Sequence, residues 1–309
     1  MAKRTIGIYQ LTQYLSSGSF GSVWECQHMT TGEMLACKVI DLDMCLQDEF
    51  FNHFLNELNI HSRIRHPSID EIRDVFLDNS TVYIIFELCD GGDLNDIVQD
   101  SDGLDESEAK LYFFQIMSAI SYIHKLGIAH RDIKLENVLI TTDHQAKLTD
   151  FGLCKQANGN SPMLTTCGTL VYAAPEIINE QPYNGMKADI WSAGIVLYAM
   201  ICCHFPWSTP EDAPPETVMH ETVKQILEGQ IEIPDGITFE LQNLMTNMLN
   251  TDPELRPSAE EILQHPWFEG REEDIDADSL IPDDNVISLV SSLIQELTKR
   301  KEAKVRGTM

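Results

Sequence analysis

Residues 130–137 read His-Arg-Asp-Ile-Lys-Leu-Glu-Asn, so one short stretch carries a carboxylate, an ammonium group and an amide in fixed order. Asp132 is suited to accept the proton of an attacking hydroxyl, Lys134 to sit against a transferred phosphate, and Asn137 to hold a magnesium ion. Further along comes Asp150-Phe151-Gly152. An Asp beside a Phe and a flexible Gly offers a second metal ligand, whose position depends on how the Phe packs. The chemistry these types suit in this order is phosphoryl transfer.

With both segments in place, residues 9–268 resemble the eukaryotic protein kinases, and the closing His265-Pro266-Trp267-Phe268 resembles the calcium/calmodulin-dependent group of that family. The resemblance implies an α+β, bilobal protein kinase fold. A small β-rich N-lobe is expected over residues 1–86, and a hinge with a larger, mostly α C-lobe over 87–268. ATP and Mg2+ are the implied cofactors. The implied catalytic set is Asp132, Lys134, Lys38, Asn137 and Asp150, with Asn137 and Asp150 on the metal. Lys134, two residues after Asp132, points to serine or threonine rather than tyrosine as acceptor. His130 looks like a base by type, but in the family it packs beneath Phe151, so a structural role is expected, with Asp132 exposed to substrate. Glu136 is placed to help hold a basic substrate residue, and Thr169 to brace Asp132 and Lys134. Phosphate on Thr165 or Thr166 would pair with Arg131 and order the loop, although either threonine also suits an unmodified loop.

The N-terminal third must position Lys38. Strand-like alternation runs over residues 14–39 around Ser16-Ser17-Gly18-Ser19-Phe20-Gly21-Ser22-Val23. Small residues let backbone amides close over phosphates, with Gly18 and Gly21 at the closest approach and Val23 over the adenine; the same pattern suits a hairpin without a ligand. Ser16 replaces a family Gly, which points to weaker nucleotide affinity. In Leu35-Ala36-Cys37-Lys38-Val39-Ile40 the strand period puts Ala36 and Lys38 on the nucleotide face and Cys37 on the other. Lys38 is expected on the α and β phosphates, oriented by Glu57 from a helical window over residues 50–64, with Glu49 as competitor. His61 stands where many kinases carry an apolar residue, a feature shared with the checkpoint kinases of the DNA-damage response. It is expected as a neutral packed imidazole, with a proton switch as the alternative. After an apolar strand over residues 81–86 comes the hinge. Backbone groups of Glu87 and Cys89 are expected on the adenine edge, Phe86 behind it, and Leu139 in the same nucleotide set. Asp93 matches the position from which basophilic kinases bind an Arg or Lys three residues before the phosphorylated site, and it equally suits a helix N-cap.

In the C-terminal part, Leu111, Phe114, Ile116, Met117, Ile120 and Ile123 follow helical spacing and end at Gly127, a good C-cap. That helix delivers the chain into the 130–137 loop. Asp189 is expected to accept from the loop backbone, and Glu176 to pair with Arg256 as a structural ion pair.

The 309 residues carry a net charge of −28, which argues against nucleic acid and anionic membrane as partners and favours protein substrates with basic motifs. No uninterrupted apolar run near the length of a bilayer crossing is read, and the N-terminal residues lack a signal core, so an intracellular monomer of nucleus or cytoplasm is expected. The eight cysteines show no metal spacing and read as reduced packing residues. Beyond Phe268 an acid-rich stretch precedes Val286, Leu289, Val290, Leu293, Ile294 and Leu297, one helical stripe followed by Lys299-Arg300-Lys301. This tail, residues 269–309, is expected as a helix docked on the large lobe with a frayed basic end. A calmodulin target or an autoinhibitory segment is the alternative. No further domain is expected, and an upstream activating kinase is a possible partner.

Overall fold

Alternating apolar and polar residues over the first third form six antiparallel strands: β1 (Arg4–Ile6), β2 (Tyr9–Gly18), β3 (Gly21–His28), β4 (Met34–Asp41), β5 (Ile72–Asp78) and β6 (Thr81–Glu87), in the order β1-β2-β3-β4-β6-β5. The computed structural model describes residues 4–18, 21–152, 155–156, 170–180, 182–207, 214–270 and 280–307. The chain divides into two units, residues 1–90 with 276–309 and residues 91–275.

In the first unit, strand periodicity sorts β4 between two cores. Leu35 and Cys37 join Ile6, Leu11, Cys26 and Tyr83 on one face, whereas Ile40 joins Phe54 and Leu58 on the other. Lys38 shares the parity of Ile40 and therefore faces the helix Asp48–His61, which starts two residues before the expected window. Gly21 has a constraint of its own here. A Cβ at that position would lie 2.2 Å from the Val39 carbonyl oxygen, so only glycine lets β3 approach β4 this closely.

The tail forms the expected helix, Asp284–Gly307, but its partner differs from the expectation. Val286, Val290, Leu293 and Leu297 are 0–5% exposed and share one core with Phe51, Phe54, Leu58 and Val75. The helix therefore belongs to the β-rich unit and not to the large lobe. The stripe alone was legible in the sequence; which surface it matched was not.

The second unit is built on two long helices. Glu106–Lys125 is capped by Asp105, whose Oδ1 accepts from the Ser107 and Glu108 amides at 2.9 Å, and it ends before Gly127 at φ +75°. Tyr112 and Phe113 are buried while Leu111 and Phe114 are only half-buried, so the inward face is rotated from the expected stripe. Gly185–Cys202 is long and apolar enough to cross a membrane by length and composition, but here it is a core helix, interrupted by Lys187 and Asp189 and mostly buried. Cys203 caps it in the left-handed conformation.

Glu176 and Arg256 form the expected pair, with Arg256 Nη1 to Glu176 Oε1 at 2.6 Å and Nη2 to Oε2 at 2.8 Å. The guanidinium is fully buried, also donates to the carbonyls of Asn250 and Lys187, and lies 5.0 Å from the Trp191 ring. A buried carboxylate deprived of its cation is costly, so Arg256→Met is expected to destabilise the chain by about 3–5 kcal/mol. Denaturant unfolding followed by circular dichroism measures this, and a loss below about 1 kcal/mol contradicts the pair's structural role.

Candidate active site

The loop holding Asp132 is fixed from behind by one carboxylate. Asp189, 1% exposed, accepts the backbone amide of His130 through Oδ2 at 2.8 Å and that of Arg131 through Oδ1 at 2.7 Å. His124 Nε2 lies 2.9 Å from Oδ2, a partner the sequence reading did not name. Arg131 needs this hold because it sits at φ +71°, a left-handed conformation that costs a non-glycine residue about 1–3 kcal/mol. Gly185 lets the helix N-terminus come in close, since a Cβ there would lie 2.8 Å from Ala129 Cβ.

His130 is fully buried, and that burial lowers its pKa below the ordinary histidine value despite nearby Asp189 and Asp132. A neutral ring suits its partners: Nε2 faces the Thr149 carbonyl at 3.1 Å, and Nδ1 accepts from the Asp132 amide at 3.3 Å. The ring meets Phe151 edge-on at 4.9 Å. Every one of these contacts is packing or backbone support, and none leaves a nitrogen for substrate.

Asp132 is 9% exposed, less open than expected. Its Oδ2 receives Lys134 Nζ at 2.7 Å and Asn137 Nδ2 at 2.8 Å, and Asn137 also donates to the Asp132 carbonyl at 2.8 Å. Lys134 and Asn137 thus converge on one oxygen of Asp132. Asn137 spends its NH2 group on Asp132, which orients the amide oxygen as the remaining ligand atom. The Thr149 amide donates to the Asn137 carbonyl at 3.0 Å, tying the residue before Asp150 to the loop. Asp150 is exposed at φ +63°, and its Oδ1 accepts from the Gly152 amide at 3.2 Å. An amide oxygen and an exposed carboxylate form a hard-oxygen pair. Such a pair fits a magnesium ion that keeps water and phosphate oxygens as its other ligands.

On the same unit, Asp93 caps the helix Leu94–Asp100 by accepting from the Asp96 amide at 2.9 Å, and its backbone bridges to Leu139. Partial burial, aided by Asp96 and Glu136, raises the Asp93 pKa. Glu136 is exposed and accepts from the Tyr172 hydroxyl at 3.2 Å. A carboxylate that burial and a neighbouring acid make costly to charge gains from an incoming cation. The Arg131 guanidinium lies 5.5 Å from the Tyr183 ring. Thr165, Thr166 and Thr169 lie outside the described residues, as do Ser19, Phe20, Cys154 and Cys167.

In the first unit, Lys38 Nζ stands 3.4 Å from Glu57 Oε1, the partner chosen over Glu49. Val23 and Ile84 flank Lys38 in register, Ser16 pairs with Val23, Gly18 with Gly21, and Ala36 with Phe86. Glu87 pairs with Leu35 and holds the Glu71 amide through Oε1 at 3.0 Å, while Cys89 is half-buried.

His61 is the packed, buried ring that was expected, with a carboxylate beside it. It is 3% exposed, with Nε2 at 3.1 Å from Asp70 Oδ1 and 2.7 Å from the Asp70 carbonyl. Burial opposes charge on the ring, but the Asp70 charge and hydrogen bonds, with Glu57 beyond, outweigh it and raise the pKa. The ring also tilts against Phe86 at 5.7 Å. Asp70 was missed because it lies nine residues away, after a turn that sequence periodicity does not trace.

Residues 9–268 match the protein kinase domain family. The chain is 38% identical over 266 residues to the human SNF-related serine/threonine-protein kinase, covering 85% of this chain and 34% of that protein. It is 36% identical over 262 residues to the maternal embryonic leucine zipper kinase of Xenopus tropicalis, covering 84% and 39%. It is 35% identical over 284 residues to protein kinase kin1 of Schizosaccharomyces pombe, covering 86% and 31%. The chain spans about a third of the length of these relatives.

The raised His61 pKa has a definite sign. Its contribution to stability is complete below the unfolded histidine value of about 6.5 and is lost as pH rises through the folded value. The destabilisation caused by His61→Gln is therefore expected to be largest near pH 6 and to shrink towards pH 9, as read from melting temperatures of both proteins across that range. A penalty that stays constant or grows with pH contradicts the ion pair.

Proposed function

The chain belongs to the protein kinase domain family, and on that premise we propose that it transfers the γ-phosphoryl of ATP to serine or threonine of protein substrates bearing an upstream basic residue. The observation that carries this reading is the convergence of Lys134 and Asn137 on Asp132 at 2.7 and 2.8 Å. Asp132 takes the hydroxyl proton as the substrate oxygen bonds to the γ-phosphorus and the bond to the β–γ bridging oxygen breaks, leaving ADP. Lys134 neutralises the phosphoryl in flight, and Lys38, oriented by Glu57, holds the α and β phosphates. Asn137 and Asp150 would hold magnesium, which supplies charge neutralisation on the β and γ oxygens. Backbone groups of Glu87 and Cys89 take the adenine edge, with Ala36, Val23 and Phe86 around it.

Asp93 and Glu136 form the acidic site for the substrate's arginine or lysine. Arg131 is the acceptor for phosphate on Thr165 or Thr166. His61, buried against Phe86, and the hinge run that follows support a role in checkpoint or cell-cycle signalling, which a peptide-array profile tests. Ser16 in place of glycine favours a second reading, a docking module with little catalysis.

Transfer of labelled phosphate from ATP to an arginine-containing peptide decides between them. Asp132→Asn is expected to lower turnover by about a hundredfold or more. Equal signals from both proteins sink the assigned base, and no signal from either favours the docking module. Asp93→Asn is expected to weaken the preference for arginine over alanine at the upstream position roughly tenfold, the worth of a charge-assisted hydrogen bond. An unchanged preference removes Asp93 from the substrate site.

A further inference from the structure

The tail helix carries one face whose character changes along its length. Val286, Val290, Leu293 and Leu297 recur at helical spacing, and the next positions on that face are Lys301 and Lys304. The surface beneath changes in step. The apolar residues enter the core that contains Phe51, Phe54 and Leu58 of the Asp48–His61 helix. Lys301 Nζ then bonds the Leu46 carbonyl and Asp48 Oδ1 and lies 5.5 Å from the Phe51 ring, and Lys304 meets Asp43 at 2.7 Å.

The helix beneath needs this support. It makes no side-chain hydrogen bond at its N-cap, Gln47, and it includes the weak helix formers Asn56 and Asn59. At fourteen residues such a helix takes its stability from packing rather than propensity. Lys301 grips the end that lacks a cap. Glu57 lies one turn after Phe54 and directly before Leu58, both buried in the shared core, so rotation of the helix about that contact moves the carboxylate that faces Lys38.

We infer that the tail helix is a positioning element for phosphoryl transfer. By packing Leu297 and bonding Lys301 onto the Asp48–His61 helix, it holds Glu57 against Lys38. The catalytic consequence rests on the kinase reading above, whereas the packing does not.

The test uses the full chain and two variants, Leu297→Ala in the core and Lys301→Ala at the partly exposed helix end, the latter keeping the apolar contact intact. Peptide phosphorylation at saturating ATP is expected to show kcat lowered about tenfold or more by each, with the peptide KM nearly unchanged. In a Glu57→Gln background the same substitutions are expected to add almost nothing, because the element they act through is already lost. Exchanging the charges, Lys301→Asp with Asp48→Lys, is expected to restore part of the Lys301 loss. Full kcat in both variants, or losses that multiply with that of Glu57→Gln, overturns the inference. Hydrogen exchange keeps it separate from the kinase reading. If the unsubstituted chain transfers no phosphate, the kinase reading falls. Loss of amide protection over residues 54–58 in Leu297→Ala still supports the brace, and unchanged protection still refutes it.

Discussion

The loop that carries Asp132 depends on the buried carboxylate of Asp189. Two consecutive backbone amides, His130 and Arg131, point at its two oxygens. Hydrogen bonds to a charged acceptor contribute about 1.5–3 kcal/mol each, enough to offset the left-handed conformation they impose on Arg131. That turn redirects the chain so that Asp132 follows with its own amide on the His130 ring. Remove the carboxylate and the backbone relaxes, while Asp132, Lys134 and Asn137 lose the common frame that brings them to one oxygen.

The first unit solves a similar problem by different means. Glu57 must reach Lys38 from a helix that is weak by its own sequence, and the cores on either side of the sheet are divided by strand parity, shifted once at the irregularity between Ile72 and Asp74. Residues of the sheet and of the tail share one core with that helix. In both units, therefore, a carboxylate of the proposed machinery is held by a segment distant in sequence: Asp189 lies 57 residues beyond Asp132, and Leu297 lies 240 residues beyond Glu57.

How much of this was legible in the sequence follows from the range of each interaction. The parity of Cys37 and Lys38 and the end of the helix Glu106–Lys125 at Gly127 are local consequences of period and backbone conformation, and they read correctly. The pairs Lys38–Glu57 and Glu176–Arg256 are long-range, yet they were found because the motif resemblance supplied partners that periodicity cannot. Where neither source spoke, the reading failed. The partner of His61, Asp70, went unread because it sits beyond an irregular turn. Asp132 was expected open because exposure depends on Lys134 and Asn137 folding back over it. The tail stripe showed that an apolar surface waits for it but not which, and only the match of Lys301 and Lys304 to Asp48 and Asp43 makes the answer specific.

The most direct test of the central claim is to substitute Asp189→Asn and measure peptide phosphorylation beside calorimetric binding of magnesium ATP. An asparagine keeps the size but offers one acceptor oxygen and turns an NH2 group towards the second amide. The account predicts turnover lowered by about a hundredfold or more while nucleotide affinity stays within about twofold, since the loop loses its geometry but the residues of the first unit proposed to hold phosphate remain. Turnover equal to that of the unsubstituted chain would contradict it.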